Sequence, residues 1–182
     1  LEDTSFAIGP TSRQFSSAST ERVVIAADAA AALGTEDCTI EFFYRGDSAT
    51  SAYGLVSNND AFGSGGVQVS TQFNGTDATN GRIQAFLGTS LVLRSANGTA
   101  AAAVWHFIQL FRSGNTWTLY VDGVLAESGS AAITVTDGWM LGVEAQLGSY
   151  GNYLSGYMEQ FRVTRGILRP TTIPTTAFLT FG

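Results

Sequence analysis

Apolar and polar residues alternate with a period of two along much of this chain. In Cys38-Thr39-Ile40-Glu41-Phe42-Phe43-Tyr44-Arg45, one side carries Cys38, Ile40, Phe42 and Tyr44, and the other Thr39, Glu41 and Arg45. That is the period of a β-strand with distinct faces. Trp117, Leu119 and Val121 repeat it just before Asp122-Gly123. Short β-branched and aromatic runs predict further strands near 6–8, 22–26, 53–57, 66–73, 82–87 and 90–95. Others follow near 104–112, 116–121, 124–128, 132–135, 139–143, 155–164 and 177–181. Among them stand Asn74-Gly75, Asn80-Gly81, Asn97-Gly98, Asp122-Gly123 and Asp137-Gly138. Such pairs suit type I′ turns, where both central residues take positive φ. Only Ala26 to Leu33 and Ala100 to Ala103 read as helical, and helices that short are marginal in water. The pattern predicts an all-β protein, a two-sheet antiparallel sandwich or barrel.

One run departs from simple alternation. Over 104–112, Val104, His106, Ile108 and Leu110 form one face, and Trp105, Phe107, Gln109 and Phe111 the other. A strand apolar on both faces is covered on both. The second cover is expected from the opposite sheet, a long loop or another subunit. Trp105, Phe107 and Phe111 are therefore candidate interface residues. Further on, residues 169–176 hold two of the three prolines and cannot form an inner strand. They are predicted to run extended over the surface and deliver 177–181 as an edge strand. With no composition break and no internal repeat, residues 1–182 are expected to form a single domain.

Composition narrows the classes. A length of 182 residues suits one domain with a sizeable core. A 45% hydrophobic share with 13% charged residues excludes disorder. A single cysteine excludes internal disulfides and cysteine-based zinc sites. A net charge of -6 and a pI near 4.6 argue against nucleic acid as partner. No apolar run approaches the roughly 20 residues of a transmembrane helix, so membrane insertion is not expected. The chain has no lysine, and all nine cations are arginines. Arginine is the planar, weakly hydrated, bidentate cation of interfaces, and Arg162, Arg165 and Arg169 are the place to look for a contact. The first residue, Leu1, is expected to mark a processed or trimmed product whose targeting signal has been removed.

Three ordered stretches carry a family resemblance. Residues 34–43, Gly-Thr-Glu-Asp-Cys-Thr-Ile-Glu-Phe-Phe, are similar to the pattern G-T-x-D-F-T-I-E-F-W. The run from Trp105-His106 to Val121-Asp122-Gly123 resembles W-H-H-V-A-x-x-R-x-G-x-x-x-L-Y-V-D-G. Leu154 to Val163 resembles F-x-G-x-I-D-E-V-R-I. These patterns are those of the concanavalin A-like lectin/glucanase superfamily, in its laminin-G-like jelly-roll branch. The resemblance implies a jelly-roll sandwich. The tail from Arg162 to Arg169 looks most like R-I-T-K-G-V-A-R, a variant of bacteriophage structural proteins. Cys38, Phe107 and Gln160 depart from the family pattern, and each reads as a packing change. In strand 155–164, Gly156 is expected where a side chain would collide with a neighbour.

Catalysis finds little support. His106 is the only histidine, and its neighbours Ile108 and Leu110 place it on a core face, as a buried, hydrogen-bonded structural residue. Glycoside hydrolysis needs two carboxylates facing the sugar. The superfamily's retaining glucanases set them as Glu-x-Asp-x-x-Glu, absent here; Glu36, Asp37 and Glu41 come nearest, with the wrong spacing. No enzyme is expected and no cofactor is required. Calcium, the family's usual ion, would take oxygen ligands on loops; Asp47, Asn58, Asn59 and Asp60, with Ser57 and Asp77 nearby, are the candidates. Turn formation explains the same residues. Arg45-Gly46-Asp47 reads as a turn rather than an adhesion motif, and Asn74 and Asn97 sit in glycosylation triplets that double as turns. The glycine-rich loop 148–153 carries Tyr150, Asn152 and Tyr153, which could stack on a sugar and bond its hydroxyls, or pack down over a sheet edge.

Two functions follow. The first is a non-enzymatic structural, decorating or adhesion module on the surface of a bacteriophage particle. It would hold capsid or tail proteins, or copies of itself, and touch host glycans. The second is a secreted, extracellular bacterial carbohydrate-binding module, with or without calcium.

Overall fold

The structure is a computed structural model that describes residues 12–26, 33–58, 66–72, 81–88, 91–135, 138–146 and 149–176. Two six-stranded antiparallel sheets face each other. Across the first sheet run β1 (Arg13–Phe15), β14 (Gly156–Arg165), β3 (Cys38–Gly46), β8 (His106–Ser113), β9 (Thr116–Val121) and β10 (Val124–Ser130). Across the second run β2 (Val23–Ile25), β11 (Trp139–Leu141), β4 (Gly54–Asn58), β5 (Val67–Gln72), β6 (Arg82–Leu87) and β7 (Leu91–Arg94). A separate hairpin pairs β12 (Glu144–Gln146) with β13 (Ser149–Gly151).

The alternation sets the core. Cys38, Ile40, Phe42 and Tyr44 of β3 join Ile108, Leu110, Trp117, Leu119 and Val121 in one apolar cluster. Val67, Val69, Ile83, Ala85 and Trp139 of the second sheet complete it. Asp122 and Gly123, at φ 53° and 77°, make the left-handed pair that closes the β9–β10 hairpin. A side chain at Gly156 would stand 2.1 Å from the Arg45 carbonyl oxygen, so only glycine passes there. Beyond it, β14 bulges between Glu159 and Arg162, with Gln160 at φ 57°.

Most predicted strands are present. The run at 132–135 reduces to one bridge, Val135 with Gly34. Ala100–Ala103 is a turn rather than a helix, because Ala103 takes φ 57° and hands its N–H to the Gly46 carbonyl. The helical reading of 26–33 and the strands at 6–8 and 177–181 fall wholly or mostly outside the described residues. Three short elements were not anticipated: β1, a 3-10 turn over Ser17–Ser19, and the β12–β13 hairpin.

The outer face of the first sheet is covered by the chain's own tail. Phe43 and Phe107 stack with ring centroids 4.6 Å apart, and Phe111 meets Tyr120 at 5.2 Å. Residues 166–176 lie across this face as a strap. Thr39 Oγ1 donates to the Ile167 carbonyl at 2.9 Å and accepts from the Arg169 N–H at 3.1 Å. Gln109 Nε2 donates to the Pro170 carbonyl at 2.9 Å, and Thr171 reaches the Gly123 turn. Glu41, only 1% exposed, sits beneath. It accepts from Gln109 Nε2 at 3.0 Å and Arg162 Nε at 2.6 Å, with Arg169 Nε at 3.9 Å. The extended run predicted for 169–176 thus crosses the outer face of the 104–112 strand at Gln109.

Candidate functional site

The outer face of the second sheet is covered differently. Its outward positions are polar: Ser57 pairs with Gln68 across β4 and β5, and Ser70 with Gln84 across β5 and β6. All four are buried. Gln84 Nε2 donates to Ser70 Oγ at 3.2 Å, and Gln68 Nε2 to Glu144 Oε1 at 2.8 Å. The carbonyl oxygens Oε1 of Gln68 and Gln84 have no hydrogen-bond partner. Buried polar atoms without a partner are uncommon, because each carries an uncompensated desolvation cost.

The β12–β13 hairpin is seated on this face through its backbone. Gly54 makes the seat: a Cβ there would stand 1.9 Å from the Glu144 nitrogen. Ser57 Oγ donates to the Val143 carbonyl at 2.9 Å and accepts from the Ala145 N–H at 3.3 Å. Gly54 N–H donates to the Asn152 carbonyl at 2.6 Å. Beneath the hairpin, Tyr153 packs on Met140, Val143 and Ala145. Asn152, at φ 47°, donates its side-chain amide to Glu144 Oε2. The two oxygens of Glu144 therefore join the sheet to the hairpin. Tyr150 stays 43% exposed, with the Arg22 guanidinium over its ring, 4.7 Å from the centroid.

The three residues proposed from sequence for sugar contact thus lie together on one hairpin with unequal duties. Tyr153 is a packing residue, Asn152 ties the hairpin together, and Tyr150 alone offers a ring to solvent. The hairpin also packs down as a cover, so both sequence readings of the loop describe part of it. Sequence reasoning missed Arg22, Glu144, Gln68 and Gln84. The outward alternation of Gln68, Ser70 and Gln72 was a usable signal for Gln68, whereas the separation of Arg22 from Tyr150 along the chain hid that pair.

The other candidates take structural places. Asn58 is buried and its Nδ2 donates to the Gly138 carbonyl at 2.9 Å, while Asp47 accepts from Ser155 Oγ at 2.9 Å. Asn59, Asp60 and Asp77 lie outside the described residues. Among the described residues no three His, Cys, Asp or Glu side chains gather as a metal site. Asp47 and Asn58 are thus each engaged within the fold. Of the interface candidates, Phe107 and Phe111 lie beneath the tail side of the first sheet, and their burial is intramolecular. Trp105 meets Tyr157 at 6.4 Å. Arg162 and Arg169 converge on Glu41, and Arg165 forks onto Glu36 with two 2.6 Å bonds. These side chains thus have partners within the chain, while Arg165 stays exposed and Trp105, Arg162 and Arg169 are half-buried.

The remaining chemistry-bearing groups are also held inside. His106 Nδ1 lies 2.8 Å from Asp122 Oδ2, and Asp122 Oδ1 accepts the Phe107 N–H at 2.7 Å. The histidine is buried, as expected from its strand neighbours. Burial pushes the Cys38 thiol up to about 12, so it is neither a nucleophile nor a thiolate ligand near neutrality. The Tyr44 hydroxyl is driven upward by the same cause. Arg165, by its hydrogen bonds and its charge, holds the Glu36 carboxyl below its ordinary value.

Comparison with known proteins agrees with the architecture. A laminin-G-type family model, described as the concanavalin A-like lectin/glucanases superfamily, matches residues 18–174. No curated protein matches by sequence. Among solved structures, the chain is similar to the CBM40 of a Ruminococcus gnavus IT-sialidase bound to α2,3-sialyllactose. That likeness has TM-score 0.59 and 16% identity, over 82% of this chain and 94% of that one. Domain 4 of AbnA, an extracellular arabinanase from Geobacillus stearothermophilus, in complex with arabinotriose, is similar at TM-score 0.58 and 14% identity. There the match covers 82% of this chain and 69% of that one. The NanB sialidase of Streptococcus pneumoniae is similar at TM-score 0.66 and 15% identity, over 90% of this chain but 27% of that one. At such identities the likenesses establish the fold alone.

Proposed function

The chain belongs to the concanavalin A-like lectin/glucanases superfamily, and from that premise we propose that it is an extracellular carbohydrate-binding module. The observation that carries the reading is the hairpin on the second sheet, which holds an exposed Tyr150 beside the Arg22 guanidinium and an apolar groove. An aromatic ring stacks on the apolar face of a sugar, and the nearby amide and carboxylate groups suit its hydroxyls. Two of the similar structures are complexes with sugars, sialyllactose in one and arabinotriose in the other, which adds support.

The virion reading loses its footing. It drew mainly on the likeness of residues 162–169 to a bacteriophage variant, which none of the reported similarities carries, and beyond that on the second apolar face of the 104–112 strand and on the arginines near the C-terminal edge. The strap accounts for the face, and Glu36 and Glu41 account for the arginines. In the binding reading the module acts without bond cleavage and needs no metal, since its contacts come from a ring and amides.

A glycan array followed by calorimetry tests this. Saturable binding to at least one sugar class is expected, with Tyr150→Ala weakening it about tenfold or more, the scale of one stacked aromatic contact. EDTA is expected to leave affinity unchanged. Absence of binding across the array, or full affinity in Tyr150→Ala, rejects the proposal.

A further inference from the structure

The groove beside Tyr150 is lined by Arg22, Val24, Ile25, Trp139, Met140 and Tyr150 and has a volume of about 340 Å³. That size falls within the range of small-molecule sites, roughly 300–1,000 Å³. Its floor is apolar, with Val24 still 61% exposed. The cation at its edge is held by an aromatic ring rather than by a carboxylate. Arg45, Arg162, Arg165 and Arg169 each face a carboxylate within 4 Å, and buried Arg112 donates to the Gly34 and Gly114 carbonyls. Arg22 is exposed and makes no ion pair with a described residue; its contact is the ring of Tyr150.

That contact matters chemically. A guanidinium attracted to the face of an aromatic ring is positioned by its π system, while its N–H groups stay available for a planar acceptor. Part of the side-chain ordering that binding would otherwise require is thereby completed in advance. The planar acceptor that matches the fork is a carboxylate, bonded by two parallel N–H···O contacts. The chain as a whole carries a charge of -6, so anions are not drawn to it generally, and selectivity for one must come from a local cation.

We infer that this groove receives a carboxylate-bearing sugar, a uronic or ulosonic acid residue, with the acid group on Arg22 and the sugar ring against Tyr150 and the apolar floor. The inference rests on the carbohydrate-binding reading and sharpens it to a charge class.

Calorimetry with α2,3-sialyllactose and trigalacturonate, each beside its methyl ester, and with neutral lactose and arabinotriose tests it. The esters keep the skeleton and remove the charge. At least one acid is expected to bind about 10- to 100-fold tighter than its ester, the scale of a charge-assisted hydrogen-bonded pair. Arg22→Gln should erase that difference without changing the melting temperature, and affinity for the acid should fall with added salt. Equal binding of acid and ester, neutral sugars preferred to acids, or an acid preference that survives Arg22→Gln overturns the inference and leaves carbohydrate binding standing. Absence of binding to all of these sugars overturns this inference as well, and the broader reading then stands or falls with the glycan array.

Discussion

The two outer faces of the sandwich are both covered by the chain, yet the covers differ in kind. On the first sheet the strap of 166–176 is bonded at Thr39 and Gln109, and two arginines converge on the buried carboxylate of Glu41. Its charged groups are answered within the molecule. On the second sheet the β12–β13 hairpin is pinned by backbone contacts at Gly54 and Ser57. It leaves an arginine without a carboxylate and a tyrosine in solvent. Unsatisfied buried oxygens do not separate the faces, since Gln109 on the first also has one. Exposure of an unpaired cation beside an aromatic ring does. A polar group answered inside the fold stabilises it, and one held in place yet unanswered is free to meet a ligand.

The contrast can be broken most severely at Glu41. Removing one partner of a buried charge cluster leaves the others uncompensated, typically at about 3–5 kcal/mol. Glu41→Ala should therefore lower unfolding stability by about that amount in urea titration. The surviving folded protein should retain its sugar affinity. Loss of affinity with little loss of stability would mean that the first face is the functional one.

Gly54→Val makes the converse break. The new side chain would enter the β12 backbone, and overpacking of this kind costs about 1–3 kcal/mol. Displacing the hairpin should abolish sugar binding while the strap stays closed, a difference readable by hydrogen exchange at the Arg169 amide, which is bonded to Thr39. Affinity unchanged by this substitution would detach the hairpin from the site.

Cys38 offers a milder probe of the first sheet. Its raised pKa favours the neutral thiol of the folded state, so stability is held below the ordinary thiol value near 9 and declines as pH climbs beyond it. At pH 8 the native protein should resist iodoacetamide, and labelling should track global unfolding. Fast labelling would show that the first sheet opens locally. The smallest effect belongs to Glu36, whose carboxyl is held low by Arg165 in full solvent. A lowered carboxyl contributes above its unfolded value and loses that contribution as pH falls through the folded one. Exposed pairs are worth little, so Glu36→Gln should leave the thermal midpoint at pH 7 within error.

Much of this fold was legible because sheet periodicity is local. β3, β6 and β9 follow from alternation alone, and the Asp122-Gly123 turn from its two residues. What escaped depends on distant contacts. β1 has three residues and exists because β14 accepts it. The β12–β13 hairpin sits in a glycine-rich stretch that reads as a loop until Gly54 is known to lie beneath it. Glu41, assigned by alternation to an outer face, does lie there, but no local pattern announces that 166–176 will bury it. The site was half legible for the same reason. Tyr150 and Asn152 stand in one short segment, while Arg22 arrives from the far end of the chain.

The strap also bears on the time at which the molecule becomes complete. Glu41 meets Gln109 across 68 residues, Arg162 across 121, and Thr39 meets Ile167 across 128. During synthesis, β3 must therefore wait for its neighbours on both sides and then for its cover. Long-range antiparallel pairing of this kind is slow, and unpaired edges beside exposed rings invite association with other chains. Until residues 166–171 are made, Thr39, Glu41 and Gln109 lack part of their partners. The strap thereby closes the outer face of the first sheet late in folding, and its arrival separates an intermediate with an open sheet face from the finished sandwich.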